Sequence, residues 1–328
     1  MRPSVSDVAK HAGVSTATVS RVLNGISTTR PQTRDKVLAA ITELGYRLPE
    51  SSLMQKGIIP RVIMLLVPDI ANAYYGEIVR GIEFAAREQQ HSVLLFDTHH
   101  NAQDVSYWLE TMRQYKVGGV ISLEPLAIQS QHPEHFQGIP WVACSEFVPD
   151  STVPHVSIDH RQAARDAVLY LVSKGHSRIG LVNSDDSYMY ACERRAGYED
   201  GLKQAGIRVQ PDYIQHAGGI DYKLGEMAAR RLLMLDPPPT AIFAVSDMLA
   251  IGAMKAAFRA GMKVPQQLAV VGFDDIPVAE MFEPALTTIA QPMFELGKSA
   301  VAMLFQRMAG HSVASRTLNH ALVIRESA

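Results

Sequence analysis

Cysteine is nearly missing from this 328-residue chain: there are two, Cys144 and Cys192. Two thiols are too few for a disulfide framework. Long apolar runs are missing as well, and the longest in a strand-like stretch, Val62–Val67, is far short of a bilayer span. The opening residues Met1 to Asp7 hold no apolar segment fit for a signal peptide. The expectation is a soluble, cytoplasmic protein, neither secreted nor embedded in a membrane. Catalytic signatures are absent too. No Gly-x-Ser-x-Gly elbow occurs, no Walker A loop, and no Gly-x-Gly-x-x-Gly after a strand. Two histidine groups, His99-His100 and His132-Pro133-Glu134-His135, lack the ligand number and geometry of a metal site, and Pro133 disfavours one helical face. Solvated loop histidines are the simpler reading. No enzyme, metal or cofactor is expected.

What the chain does have is a charge asymmetry. The net charge is −2, yet residues 1–57 carry eight Lys/Arg against four Asp/Glu, leaving 23 basic and 29 acidic residues beyond. A small basic head of +4 on an acidic body of −6 places any polyanion contact on the head. Length alone argues for two or three compact units.

The head shows three helical patterns. Ser4 can cap the first, with Asp7 as a box-like partner, and Val5, Val8, Ala9 and Ala12 form its inner face up to Gly13. Ser15 starts a second, with Val19, Val22 and Leu23 inward and Asn24-Gly25 at its end. A third follows Pro31 with the stripe Val37, Ala40, Ile41, Leu44. The short Ala12-Gly13-Val14 link between the first two is the turn of a helix-turn-helix unit. A second helix lodged in the major groove reads bases with outward side chains near its start, here Thr16, Ala17, Ser20 and Arg21. Arg21 can pair with a guanine edge, and Thr16 and Ala17 can meet a thymine methyl. Ser4, Ser15, Thr33 and Arg34 are candidates for phosphate contacts.

After a Pro- and Ser-bearing linker at 49–60, short apolar strands alternate with amphipathic helices. Val62–Val67, Val93–Phe96, Gly119–Leu123, Trp141–Cys144, Ile179–Val182, Ala241–Val245 and Ala269–Phe273 read as strands buried on both faces. Helices fall at Tyr75–Gln89, Gln162–Ser173, Ala196–Ala205 and Lys223–Met234. This is the alternation of doubly wound α/β units with parallel sheets, and its length asks for two sheets. A ligand in such a body sits beyond the carboxyl ends of strands or between lobes. Asp274 projects from a strand end and can accept two hydroxyls; Arg194, read as lying just before a helix, offers a planar donor fork. Tyr74, Tyr75 and Phe147 can stack on a ring, with Glu146 beside the last. Two plainer readings stay open: an Arg194–Asp274 ion pair, and Tyr75 and Phe147 as ordinary core. Asp247 and Asp275 are weaker candidates that capping explains as well.

The segment Val5-Ser6-Asp7-Val8-Ala9-Lys10-His11-Ala12-Gly13-Val14-Ser15-Thr16-Ala17-Thr18-Val19-Ser20-Arg21-Val22-Leu23-Asn24 resembles the N-terminal signature of LacI/GalR-family bacterial transcription repressors. Thr33-Arg34, Val37, Ala40 and Leu44-Gly45-Tyr46 continue the likeness, which runs to Leu322–Ser327. Pro68-Asp69-Ile70, Ser145-Glu146-Phe147, Pro238–Ala241 and Leu286–Pro292 look closest to the cytidine-responsive branch. The resemblance implies a helix-turn-helix domain at 1–48, a linker or hinge at 49–60, and an effector-binding and dimerisation domain at 61–328. That domain would be periplasmic-binding-protein-like, with one lobe of about 61–158 with 291–319 and another of 159–290 with 320–328. It implies a homodimer on a pseudo-palindromic double-stranded DNA operator, and an effector held by Tyr74, Tyr75, Glu146, Phe147, Arg194, Ile220, Ser246 and Asp274. A nucleoside and a sugar both suit those groups; the branch leans the reading to a nucleoside. One stretch departs from the family: Tyr46-Arg47-Leu48-Pro49 carries an extra residue and no clean hinge-helix motif follows. Leu53 or Met54 can still wedge into the minor groove, and a flexible tether is the equal alternative. Two other classes are weighed: a solute-binding protein of the two-lobed type, and an α/β enzyme with an unrelated helical cap.

Overall fold

The computed structural model describes residues 3–23, 29–44, 61–98, 105–124, 138–149 and 151–328. The linker with Leu53 and Met54, the helix-ending Asn24-Gly25, and both histidine groups lie outside the described residues. The chain divides into two units, residues 1–59 and 60–328.

In the first unit α1 (Val5–Ala12), α2 (Thr16–Leu23) and α3 (Pro31–Leu44) close around Val8, Ala9, Val19, Val22, Val37 and Ala40. These residues recur at helical spacing, so each helix buries one stripe. Ser4 and Asp7 form a full capping box, and Gly13 ends α1 at φ 66°, a left-handed position that suits glycine. A hydrogen bond of 2.7 Å joins His11 on α1 to Glu43 on α3.

The second unit holds two six-stranded sheets. The first, in the order β11-β5-β4-β3-β1-β2, takes β1 (Val62–Val67), β2 (Ser92–Asp97), β3 (Val117–Ser122), β4 (Trp141–Cys144), β5 (His155–Ile158) and β11 (Arg316–Leu318). The second, in the order β12-β10-β9-β8-β6-β7, takes β6 (Ile179–Asn183), β7 (Ile214–His216), β8 (Ala241–Ala244), β9 (Ala269–Asp274), β10 (Thr287–Ala290) and β12 (Ala321–Val323). Pairing is parallel throughout, except that β12 runs antiparallel to β10. The chain therefore crosses between the sheets three times: after β5, after β10 and between β11 and β12.

The unbroken apolar run of β1 follows from cover on both faces. Ile63, Leu65 and Val67 meet Ile78 and Ile82 of α4 (Ala73–Glu88) and Leu296 and Val301 of α11 (Met293–Met308). Met64 and Leu66 point the other way, onto Trp108 and Met112 of α5 (Val105–Tyr115). The second sheet is covered likewise by α6 (His160–Ser173), α7 (Met189–Gln204), α8 (Tyr222–Leu233) and α9 (Asp247–Arg259), around Leu181, Phe243, Val271 and Phe273; α10 (Pro277–Met281) is a short turn after β9. No helix among the described residues is long and apolar enough to cross a membrane.

Candidate functional site

Four strands, β1, β4, β8 and β9, deliver their carboxyl ends to one cleft between the two sheets. It is lined by Asn72, Tyr74 and Tyr75 after β1, Ser145 and Glu146 after β4, Tyr190 and Arg194 on α7, Ile220, Ser246 after β8, and Asp274 at the end of β9. The cleft holds about 370 Å³ of free space, its open mouth included, which suits a small molecule. Seven of the eight expected effector residues meet there. Phe147 does not: it lines a separate hollow with Trp141 and Val153, and its ring stacks on His155 at 3.6 Å. Glu146 faces the cleft, while Phe147, the next residue, turns from it.

Arg194 was expected just ahead of a helix; it lies inside α7, one turn after Tyr190. Its guanidinium sits 3.6 Å from the Phe273 ring centre and 4.9 Å from that of Tyr190, a stack on two aromatic faces. It donates to the Val245 carbonyl, and to His160 Nδ1 at 3.3 Å, and lies 3.5 Å from Asp274 Oδ1. Asp274 also accepts from Gln291 Nε2 at 2.8 Å. Burial lifts the Asp274 carboxyl to about 6, against the pull of Arg194 and Gln291. The ion pair and the ligand role are thus compatible: one face of each group stays turned to the cleft.

Glu146 spans the cleft. Its carboxylate accepts from the backbone N–H groups of Met189 at 2.6 Å and Tyr190 at 3.3 Å, at the start of α7, where Tyr188 supplies no side-chain cap. A carboxylate at a helix N-terminus is favoured by the free N–H groups and the helix dipole. Burial still dominates and raises Glu146 to about 7, with Glu124 adding to the rise. Tyr74 donates to Gln291 Oε1 at 3.1 Å and shares a 2.7 Å hydrogen bond with Ser145. Its ring meets Tyr75 edge to face at 5.3 Å. Ser246 caps α9 by accepting from Leu249 N–H, which leaves its hydroxyl proton to donate. Ser145 (φ 71°) and Asp274 (φ 121°) both hold a backbone conformation disfavoured for side-chain-bearing residues, a strain that clusters at binding sites.

Asp247 and Asp275 have structural partners. Asp247 is buried, accepts from Ile276 N–H and Thr288 Oγ1, and is pushed well up by burial and by the charge of Asp274. Asp275 pairs with Arg325 at 2.8 Å. Among the described residues no cluster of His, Cys, Asp or Glu could hold a metal ion. Tyr190, Ser145 and Asn72 were missed. A signal for Tyr190 existed, since it precedes Arg194 by four residues and so shares its helix face.

On the head, Thr16, Ala17 and Arg21 are exposed along α2 and Ser20 is half-buried. Ser15 heads α2: its hydroxyl accepts from Thr18 N–H at 3.2 Å and pairs with Thr18 Oγ1 at 2.9 Å. No acidic residue stands in the first turn of α2. At α1 the reverse holds. The Asp7 carboxylate takes both the hydroxyl (2.6 Å) and the N–H (2.7 Å) of Ser4. Arg34 is exposed and Thr33 half-buried in the first turn of α3.

Residues 4–48 match the model of the lacI family of bacterial regulatory proteins, and residues 168–328 match a periplasmic binding protein-like domain. The HTH-type transcriptional repressor CytR of Escherichia coli K12 is 37% identical over 327 residues, covering 99% of this chain and 96% of that one. This chain belongs to the lacI family. Two solved structures match this chain over nearly its full length. A complex of the transcriptional regulator CelR with cellobiose is 31% identical, with a TM-score of 0.74 and all of both chains covered. The lac repressor dimer bound to operator and the anti-inducer ONPF is 27% identical, with a TM-score of 0.80, covering 100% of this chain and 99% of that one. The chain is accordingly a DNA-binding transcription regulator under small-molecule control, and not an enzyme.

Proposed function

We propose that the protein is a cytoplasmic repressor that works as a homodimer on a pseudo-palindromic operator and is controlled by a nucleoside in the cleft. The carrying observation is the convergence of Tyr75, Tyr190, Glu146, Arg194 and Asp274 on one cleft fed by both sheets. Tyr75 and Tyr190 offer flat walls for a base. Asp274 and Arg194, an acceptor beside a donor, suit a pair of ribose hydroxyls. Glu146 is placed to exchange its two backbone donors for donors on the ligand, and Ile220 and Ser246 complete the lining. In the head, Thr16, Ala17, Ser20 and Arg21 read bases, and Ser15 with Thr33 and Arg34 holds phosphates. Ser4 is left with capping, because the Asp7 charge stands where a phosphate would bind.

A sugar is the second reading, favoured by the CelR–cellobiose likeness over both full lengths. Calorimetry with cytidine, adenosine, cellobiose and a panel of hexoses separates the two. Cytidine is expected to bind and to lower affinity for a duplex recovered by selection from a random pool. Tight binding confined to a sugar would replace the nucleoside by a sugar.

A further inference from the structure

Seven buried polar residues form a closed chain of contacts, four of them (Tyr74, Ser145, Arg194 and Asp274) in the cleft lining and three behind it. Arg194 donates to His160 Nδ1; His160 Nε2 lies 3.2 Å from Ser157 Oγ; and the Ser157 hydroxyl donates to the Ser145 carbonyl at 2.7 Å. The Ser145 hydroxyl meets Tyr74, Tyr74 donates to Gln291, Gln291 donates to Asp274, and Asp274 returns to Arg194. His160 is the first residue of α6, directly after one interlobe crossover, and Gln291 lies on another. His160 is 3% exposed and does not line the cleft.

The partners of His160 dictate its tautomer. A guanidinium has donors only, so Nδ1 presents its lone pair to Arg194. The Ser157 proton is committed to the Ser145 carbonyl, so Ser157 Oγ is an acceptor and Nε2 carries the hydrogen. We propose that His160 is a positioning residue of the effector site: as the neutral Nε2–H tautomer it aims the Arg194 fork and ties it to the crossover between the lobes. The groups packed around the ring agree with a neutral form. Phe273 lies 6.0 Å from it, and burial, the Arg194 charge and His320 hold its pKa well below the usual value, outweighing a backbone hydrogen bond to Ser145 that pulls it up.

The functional half of the claim rests on the small-molecule cleft described above; the tautomer half does not. The test uses the full chain and two variants. His160→Asn keeps an acceptor at the δ position; His160→Leu removes both partners. With cytidine as probe, His160→Leu is expected to raise the dissociation constant about tenfold or more, and His160→Asn only a few-fold. Both should hold the selected duplex without ligand as the unmodified protein does. Ring-nitrogen NMR on histidine-labelled protein, assigned by the resonance lost in His160→Leu, should show Nε2–H and no second proton at pH 6. Equal cytidine affinity for His160→Leu and the unmodified protein would overturn the proposal, as would a protonated Nδ1. If the unmodified protein ignores cytidine, adenosine and cellobiose alike, the effector reading fails, and the NMR result alone decides whether His160 holds Arg194 in this way.

Discussion

Two carboxyls are set at odds with their surroundings, and each gives a test. Asp274 is nearly enclosed yet holds Arg194, Gln291 and the proposed ligand hydroxyls on one group. Asp274→Asn keeps the shape and removes the charge. It should weaken cytidine binding by about tenfold or more, roughly 1.4 kcal/mol, in calorimetry, with little change in DNA affinity without ligand. Glu146 titrates near 7 because burial outweighs its two backbone donors. Its folded value lies above the unfolded one, so its contribution to stability is whole below about pH 4.5 and is lost as pH rises to about 7. Glu146→Gln removes that dependence. Thermal melts should show the variant gaining on the unmodified protein between pH 5 and 8, by at most on the order of 3 kcal/mol. A constant difference across that range would show that the carboxyl titrates normally.

The elements carry the next level of design, and here the sequence was readable in part. The strands β1, β3, β4, β6, β8 and β9 announce themselves because cover on both faces demands unbroken apolar runs. The strands β5, β7, β10, β11 and β12 do not. Ile214-Gln215-His216 is three residues at a sheet edge, and Thr287-Thr288 is buried with its hydroxyls engaged by Arg325 N–H and Asp247. Polar letters hid a buried strand there because the partners lie far along the chain. The same limit displaced the start of α7 from Met189 to Ala196 and so hid Tyr190. The cap that would have marked the true start is Glu146, 43 residues earlier. Glu146, Asp274, Tyr74 and Tyr75 were legible because they follow or end strands, and Arg194 through its donor chemistry, whereas Ile220 and Ser246 came only from the family resemblance; Phe147 misled because it follows the same strand as Glu146 but turns into a separate hollow.

Helix packing gives a test at this scale. At Gly197 on α7 an added methyl would lie 2.1 Å from the Arg161 carbonyl oxygen on α6. Gly197→Ala should push the helix bearing Arg194 away from the helix bearing His160. About 1–3 kcal/mol of stability should be lost in urea melts, together with effector affinity. In the head, Ser15→Ala removes the cap of α2 at a cost of about 1 kcal/mol, and DNA affinity should fall beyond what Ser4→Ala causes. Equal losses in a filter-binding assay would remove the distinction between the two helix starts.

At the scale of the whole molecule, a +4 head is joined to a −6 body in which two sheets share a cleft. The small excess of cations is confined to the part that meets DNA, so affinity should fall steeply as salt rises while preference among duplexes persists. The polar chain through His160 and Gln291 ties the cleft residues Tyr74 and Ser145 of one lobe to Arg194 and Asp274 of the other. The central claim is that a molecule held there changes the grip of helix α2 on a duplex. Fluorescence anisotropy of the full chain on its selected duplex, titrated with and without cytidine, addresses it directly. The account predicts sequence-selective binding that cytidine weakens by about tenfold or more, a shift of roughly 1.4 kcal/mol. No preference for any duplex over bulk genomic competitor, whichever nucleoside or sugar is added, would contradict it.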